Sequence, residues 1–369
     1  MSAHSKSYQT PSPHSDPRKN KGSANGNPVL KGYVLPGLIQ PLLCPDANPG
    51  YQKIRSAFEK VRTEIEQSSA DLILIYSTMW PSILGHQIQA HPEPEWVLVD
   101  EEFHDLGSVP YKLKIDSDFA HAYNRHALER GLHSRTISYH GFPIDSGSIV
   151  ALKLINPDNR IPAVIVSSNI YADRAETVVL AKAAVSALKE QGKKAVAVII
   201  STLSNRLHSQ WIDPKEDKIH SLKDQEWNLK ILEFLSKGRL EDVAQLSRQI
   251  QREARVKKVS NFKPFWWLSS VMGAHNRYQG QIYEYQPIYG TGCAVVGLSP
   301  ALHAARDLEF DEDAPDFYTG ERNVLSSSEG VNPMSFMNPM NSMRPEINSE
   351  SDFDSETNED SLIFDGDQT

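Results

Sequence analysis

The sequence predicts an α/β fold: a single domain with a largely parallel central sheet flanked by helices, between disordered N- and C-terminal tails. Three observations lead there. The run Asp71-Leu-Ile-Leu-Ile-Tyr76 is continuously apolar after its first residue and of strand length, as suits a parallel strand covered on both faces. Ala163-Val-Ile-Val-Ser167, a helical run over 173–191 and the apolar run Ala195–Ser201 form a strand–helix–strand unit, the connection that parallel strands require and one expected to be right-handed. Aliphatic residues thin out before about residue 30 and after about 304, which confines the core to the stretch between.

The elements follow in order. Val29–Leu35 reads as a first strand, closed by Pro36-Gly37. Residues 51–67 carry Ile54, Phe58, Val61 and Ile65 at the spacing of a half-buried helix. The strand Leu72–Trp80 ends in a tight polar corner. Residues 116–131 read as a helix with Asp116 as its cap and Gly131 as its stop. Arg135–Tyr139 reads as a short strand, and the helical run over 173–191 stops at Gly192. Two further helices are expected over 224–236 and 239–257, joined at Gly238, then an aromatic helix over Phe262–Gly273. Tyr289–Gly297 reads as a glycine-containing turn and a last strand. This gives 1–29 as a disordered basic tail, 30–304 as the folded domain and 305–369 as a disordered acidic tail with a Met-rich segment.

Charge separates along the same lines. Residues 301–369 hold 17 acidic and 3 basic side chains, a balance of −14 against −9 for the whole chain, so residues 1–300 carry +5. The acidity belongs to the tail, where solvation and spacing are its ordinary uses and a basic partner the sharper one. Neither tail holds enough apolar surface to offset the entropy of ordering. Cys44 and Cys293 match no metal or redox spacing and make no disulfide framework, which fits a reducing compartment. With no apolar leader and no run of about 18 apolar residues, the expected location is the cytoplasm, with no membrane contact. The cations Arg248, Arg252, Arg255, Lys257 and Lys258 gather toward a helix C-terminus, where they complement the helix dipole, and no nucleic-acid partner is expected.

No G-x-G-x-x-G follows a strand, and neither a P-loop nor a G-x-S-x-G elbow occurs, which removes the main support for dinucleotide, nucleoside-triphosphate and serine-hydrolase chemistry. In open α/β sheets, ligands bind beyond the carboxyl ends of the strands. Those ends here are Leu35-Pro36-Gly37, Tyr76–Trp80, Ser167-Ser168-Asn169 and Ser201–Asn205. They are rich in Ser, Thr, Asn and Gly, which suits a polar cleft and equally suits plain caps and turns.

Seven segments occur in a telling succession: Gly32-Tyr-Val-Leu-Pro36, Ile75-Tyr-Ser-Thr-Met-Trp80, Val99-Asp-Glu-Glu-Phe-His104, Gly141-Phe-Pro-Ile-Asp-Ser-Gly147, Ser168-Asn-Ile-Tyr171, Ser201-Thr-Leu-Ser204 and Tyr289-Gly-Thr-Gly292. Together they resemble the class III extradiol ring-cleavage dioxygenases, the superfamily of the protocatechuate dioxygenase B subunit. Within it the resemblance is to the iron-free alpha subunits of aminophenol-cleaving members. It covers about residues 30–298.

The resemblance implies a chemistry and its loss. Catalytic members hold Fe(II) with two histidines and a glutamate, leaving open positions for O₂ and an aromatic substrate. The first family histidine follows the proline that closes strand one, and the matching residue here is Gly37. The second precedes the tryptophan that ends the second strand, and here that place is Met79, a neutral thioether. An acid/base histidine follows the Thr-Leu-Ser of the later strand; this chain has Asn205, which cannot shuttle a proton near neutral pH. The glutamate ligand lies upstream of Trp266-Trp267, at Val259, with Glu253 the nearest carboxylate. The resemblance therefore implies no metal and no cofactor on this chain, with Fe(II) in a catalytic partner subunit. It implies assembly with that subunit as a hetero-oligomer, or self-association.

Thr78, His104, Asp145, Ser204, Asn205 and His208 remain as cleft or substrate contacts, with Asp145 also read as a helix cap before Ser148. One alternative is a divergent oxygenase with His104, His140, His208 or Glu253 as replacement ligands. Another is an aromatic-ligand binding protein that kept the cleft and lost the metal. Phe262, Phe265, Trp266 and Trp267 read as core packing or as a subunit interface. The repeated Asn332-Pro-Met and Asn338-Pro-Met read as an inert linker or a short recognition segment.

Overall fold

A computed structural model describes residues 26–205, 211–245, 262–273, 278–301 and 315–319. Ten strands and eight α-helices are found among the described residues. The first half comprises β1 (Val29–Leu35), α1 (Gln40–Leu43), α2 (Pro49–Gln67), β2 (Leu72–Ser82), β3 (His86–Gln89), β4 (Glu95–Val99), β5 (Ser108–Lys112), α3 (Ser117–Glu129), β6 (Ser134–Ile137) and α4 (Ser146–Ile155). The second comprises β7 (Ala163–Asn169), α5 (Arg174–Gln191), β8 (Ala195–Ile200), α6 (Leu222–Ser236), α7 (Leu240–Gln245), α8 (Lys263–Met272), β9 (Tyr278–Ile288) and β10 (Thr291–Pro300).

Eight strands form one sheet in the order β6-β3-β7-β2-β8-β1-β10-β9, and β4 pairs with β5 in a separate ribbon. The four central strands β7, β2, β8 and β1 are parallel, as the unbroken apolar runs predict. The flanks are not: β9 and β10 form an antiparallel hairpin beside β1, and β3 runs against β7 while parallel to β6. β7 and β8, consecutive parallel strands around α5, are separated by β2.

Alternation along β1 fixes the layers. A Cβ on Gly32 would meet Met272 and Leu268 of α8, whereas its neighbour Tyr33 hydrogen-bonds Glu64 of α2. Successive residues of a strand point to opposite faces, so α8 and α2 cover opposite sides. α3 and α5 pack in the α8 layer, and α4 packs beside α2. The caps act as read from the sequence. Asp116 accepts from Phe119 N at the start of α3, and Gly192 stops α5 at φ +64°.

The aromatic residues of α8 belong to the core. Trp267 is fully buried, its ring 5.5 Å from that of Tyr76, and its indole N–H donates to Tyr123 Oη at 3.3 Å. One expectation needs adjustment, and two others fall largely outside the described residues. β2 runs on past Trp80 to Ser82, because Pro81 and Ser82 rejoin β7 after a register shift that begins at Ser77. The helix expected over 239–257 is described only as α7, and residues 246–257 lie outside the described residues. Of the acidic segment after 304, residues 315–319 are described and contact α3 and α5.

Candidate functional site

The carboxyl ends of β1, β2 and β8 lie side by side, because these strands are neighbours in the order β2-β8-β1. The register shift in β2 lifts Thr78, Met79 and Trp80 out of the ladder with β7. A bulge of this kind re-aims side chains at a sheet edge. Here Thr78 Oγ1 turns back to donate to Ile200 O at 2.8 Å, and Met79 leans across the edge.

What Met79 leans on is the turn after β1 and the start of α4. A Cβ built on Gly37 would stand 2.7 Å from Gly147 Cα, 2.7 Å from Ile200 Cγ2 and 3.2 Å from Met79 Cγ. One built on Gly147 would stand 2.7 Å from both Ile200 Cγ2 and Met79 Cγ. Gly37, Met79, Gly147 and Ile200 thus interlock with no room for another carbon. The two positions that the resemblance matches to histidine ligands do meet at this corner, but as a glycine and a methionine in close packing. A thioether offers no charge and a glycine no donor, so this corner does not fit Fe(II), which takes imidazole and carboxylate ligands with open positions.

Asp145 sits beside this corner as the N-cap of α4. Its Oδ1 accepts from Ser148 N at 2.9 Å and from Ser77 Oγ at 2.7 Å, joining the helix to the start of the bulge. Its other oxygen is buried without a hydrogen-bond partner among the described residues, as is Ser148 Oγ. Burial raises the Asp145 pKa above the usual carboxylate value, against the lowering effect of the Ser148 and Ser77 hydrogen bonds.

The loop after β8 is held rather than open. Leu203 N donates to Gly292 O and Gly292 N to Ser204 O, so the loop extends the sheet towards β10. Ser204 N donates to Asn228 Oδ1 at 2.8 Å, and Asn228 Nδ2 donates to Ser204 Oγ and Tyr285 Oη. Ser204 is therefore a buried structural residue, and Asn205, next to it, is half-buried. The turn at Tyr289-Gly290 is clamped by Asp217, which accepts from both backbone amides and from the Tyr51 hydroxyl.

The remaining candidates disperse. His104 is exposed in a short turn, while its neighbour Phe103 meets the Tyr289 ring edge-on at 4.7 Å. His140 is exposed and lies ring-to-ring with His91 at 5.8 Å. His208, Glu253 and Val259 lie outside the described residues, as do the five cations Arg248, Arg252, Arg255, Lys257 and Lys258 and the Asn-Pro-Met repeat. Among the described residues, no three His, Cys, Asp or Glu side chains are grouped so as to hold a metal ion.

One feature escapes the sequence. His86 Nε2 and Glu176 Oε1 lie 3.0 Å apart in the core, Asn169 donates to the same oxygen, and the buried Lys263 donates to Ile170 O at 3.0 Å. Burial, opposed by Glu176 and Asp173, pushes the Lys263 amine down to about 8. These residues come from β3, β7, α5 and α8, and no local spacing links them.

With this fold and corner described, the class is defined: residues 39–297 match the family model of the catalytic LigB subunit of aromatic ring-opening dioxygenase, and the chain belongs to that family. Among particular relatives, it is 31% identical over 274 residues to the 2-aminophenol 1,6-dioxygenase alpha subunit of a Pseudomonas species. That match covers 73% of this chain and 99% of the relative. It is 29% identical over 291 residues to the beta subunit of the same name from Pseudomonas, covering 74% and 94%. A crystal structure of an uncharacterized protein, JW3007, from Escherichia coli K12 aligns with a TM-score of 0.48 at 14% identity, covering 73% of this chain and 99% of that one.

Proposed function

We propose that this chain is an alpha-type, iron-free subunit of an extradiol ring-cleavage dioxygenase, assembling with a catalytic homologue that opens an aromatic ring such as that of an aminophenol. Identities of 31% and 29% to an alpha and a beta subunit do not separate the two roles. The observation that carries the reading is the interlocked corner, where the 2.7 Å approach of a Gly37 Cβ to Gly147 Cα leaves no place for an imidazole. A fold can keep its shape and lose its chemistry, because function lives in the site and not in the scaffold. Binding to a partner stabilises both chains by mass action and needs no metal.

On this reading Thr78, Asp145, Ser204 and Asn205 hold the sheet edge in shape, and His104 is a surface residue. The protein works in the cytoplasm, and among the described residues no helix is long and apolar enough to cross a membrane. Co-expression tests the partnership. A homologue with Pro-His and His-Trp at the two ligand corners is expected to co-purify with this chain at a fixed ratio and to gain activity or heat resistance from it. A homologue equally active, stable and unassociated in its presence would contradict the proposal.

A further inference from the structure

Beyond residue 297, where the family match ends, the segment Pro315-Asp316-Phe317-Tyr318-Thr319 lies against the C-terminal end of α3 and the neighbouring side of α5. Arg130 is the centre of the contact. Its Nη1 donates to Asp316 O at 2.7 Å, its backbone O accepts from Tyr318 N at 2.8 Å, and its guanidinium lies 5.7 Å from the centre of the Phe317 ring. Arg130 is itself oriented by a hydrogen bond from Nη2 to Ser186 Oγ at 2.9 Å. Lys182 of α5 pairs with the Asp316 carboxylate at 2.7 Å. Gly131, at φ +83°, brings its bare Cα under Tyr318 O, where any Cβ would collide with that oxygen. Tyr318 is half-buried and packs on the core, whereas Phe317 is 63% exposed.

One backbone–backbone hydrogen bond, one from the Arg130 side chain to a backbone oxygen, an ion pair, a ring over a guanidinium and a close backbone approach at a glycine are more than one accidental touch. The chemistry is also matched. Arg130 and Lys182 present cations, and the segment brings a carboxylate between a proline and two aromatic rings. We infer that residues 315–319 are a docking motif that seats on the Arg130–Lys182 face of the same chain as a salt-sensitive latch. Downstream of it, residues 320–369 hold 11 acidic and 2 basic side chains. The exposed ion pair of the latch is salt-sensitive, so the latch closes at low ionic strength and loosens as salt rises.

Amide hydrogen exchange on the full-length chain tests this, with the Tyr318 amide as reporter. In the parent it is expected to exchange at least about tenfold more slowly than in a free peptide of the same sequence, since a formed hydrogen bond must open before exchange. Asp316→Lys lies outside the core and is expected to remove most of that protection, and Asp316→Lys with Lys182→Asp to restore it. Free-peptide exchange at Tyr318 in the parent would overturn the docking. An unchanged rate in Asp316→Lys, or no rescue by the charge swap, would overturn the assignment of Lys182 as the partner that holds the segment closed.

Discussion

Gly37→Ala is the smallest change that tests the interlocked corner. It adds one methyl carbon, which would stand 2.7 Å from Gly147 Cα and 2.7 Å from Ile200 Cγ2. Carbon atoms in comfortable contact lie about 3.5–4.0 Å apart, so the new atom is short of space by about 1 Å in two directions. Gly147 Cα is backbone in the first turn of α4, tied through Asp145 to Ser77, and cannot rotate away. Gly37 is outside the left-handed region of backbone space, so the penalty is one of packing and not of φ. Overpacking typically costs about 1–3 kcal/mol, and two collisions of which one is with backbone belong at the top of that range. For a domain of this size, about 3 kcal/mol corresponds to a fall in Tm of roughly 6–12 °C. Gly37→His adds a ring to the same methyl and is expected to be worse, and Gly37→His with Met79→His to gain no iron. Thermal and urea unfolding followed by circular dichroism measure the effect. A Gly37→Ala protein that unfolds at the parent temperature would refute the packing argument and reopen the corner as a ligand site.

Other substitutions probe the supports of that corner. Asp145 has a folded-state pKa raised by burial, so its ionised form costs stability above that pKa, and the cost is relieved as pH falls through it toward the unfolded value. Asp145→Asn keeps the cap acceptor and removes the charge, and is expected to stabilise the protein at pH 7 by an amount that shrinks toward acid pH. A lower stability than the parent at pH 7 would contradict this. Asp145→Ala loses the cap and is expected to cost about 1 kcal/mol or more in urea unfolding. Asn228→Ala strips partners from Ser204 N and Ser204 Oγ, while the Tyr285 hydroxyl keeps Gln225 as its acceptor, and leaving the two buried Ser204 groups unpaired is expected to cost about 2–3 kcal/mol. A loss below about 0.5 kcal/mol would mean that the loop after β8 finds other partners.

The legible and illegible parts of this protein divide by the range of the interactions involved. β1, β7, β8 and α5 could be read almost to the residue because apolar runs and a stop such as Gly192 are local signals. The long β9 was not, since Gln279, Gln281, Glu284 and Gln286 give it the polarity of a loop; it is a strand because β10 pairs with it. β3, β4 and β5 are only four or five residues long, and β4 is largely exposed, so each offers too short a stretch for a period to be read. At the corner, the family resemblance singled out Gly37 and Met79. Gly147 and Ile200, which close the corner, are distant in sequence and ordinary in type. The Arg130 latch was illegible for a related reason: a five-residue segment in an acidic stretch has no periodicity, and its meaning lies in the cations that it meets.

On the proposed reading, this chain carries the dioxygenase fold without the dioxygenase metal. The most direct measurement is the iron content of the purified full-length chain after anaerobic incubation with Fe(II) and desalting, read together with its O₂ uptake on 2-aminophenol and catechol. No retained iron and no substrate-dependent uptake by the chain alone are expected. One tightly held iron per chain with substrate-dependent O₂ consumption would contradict it.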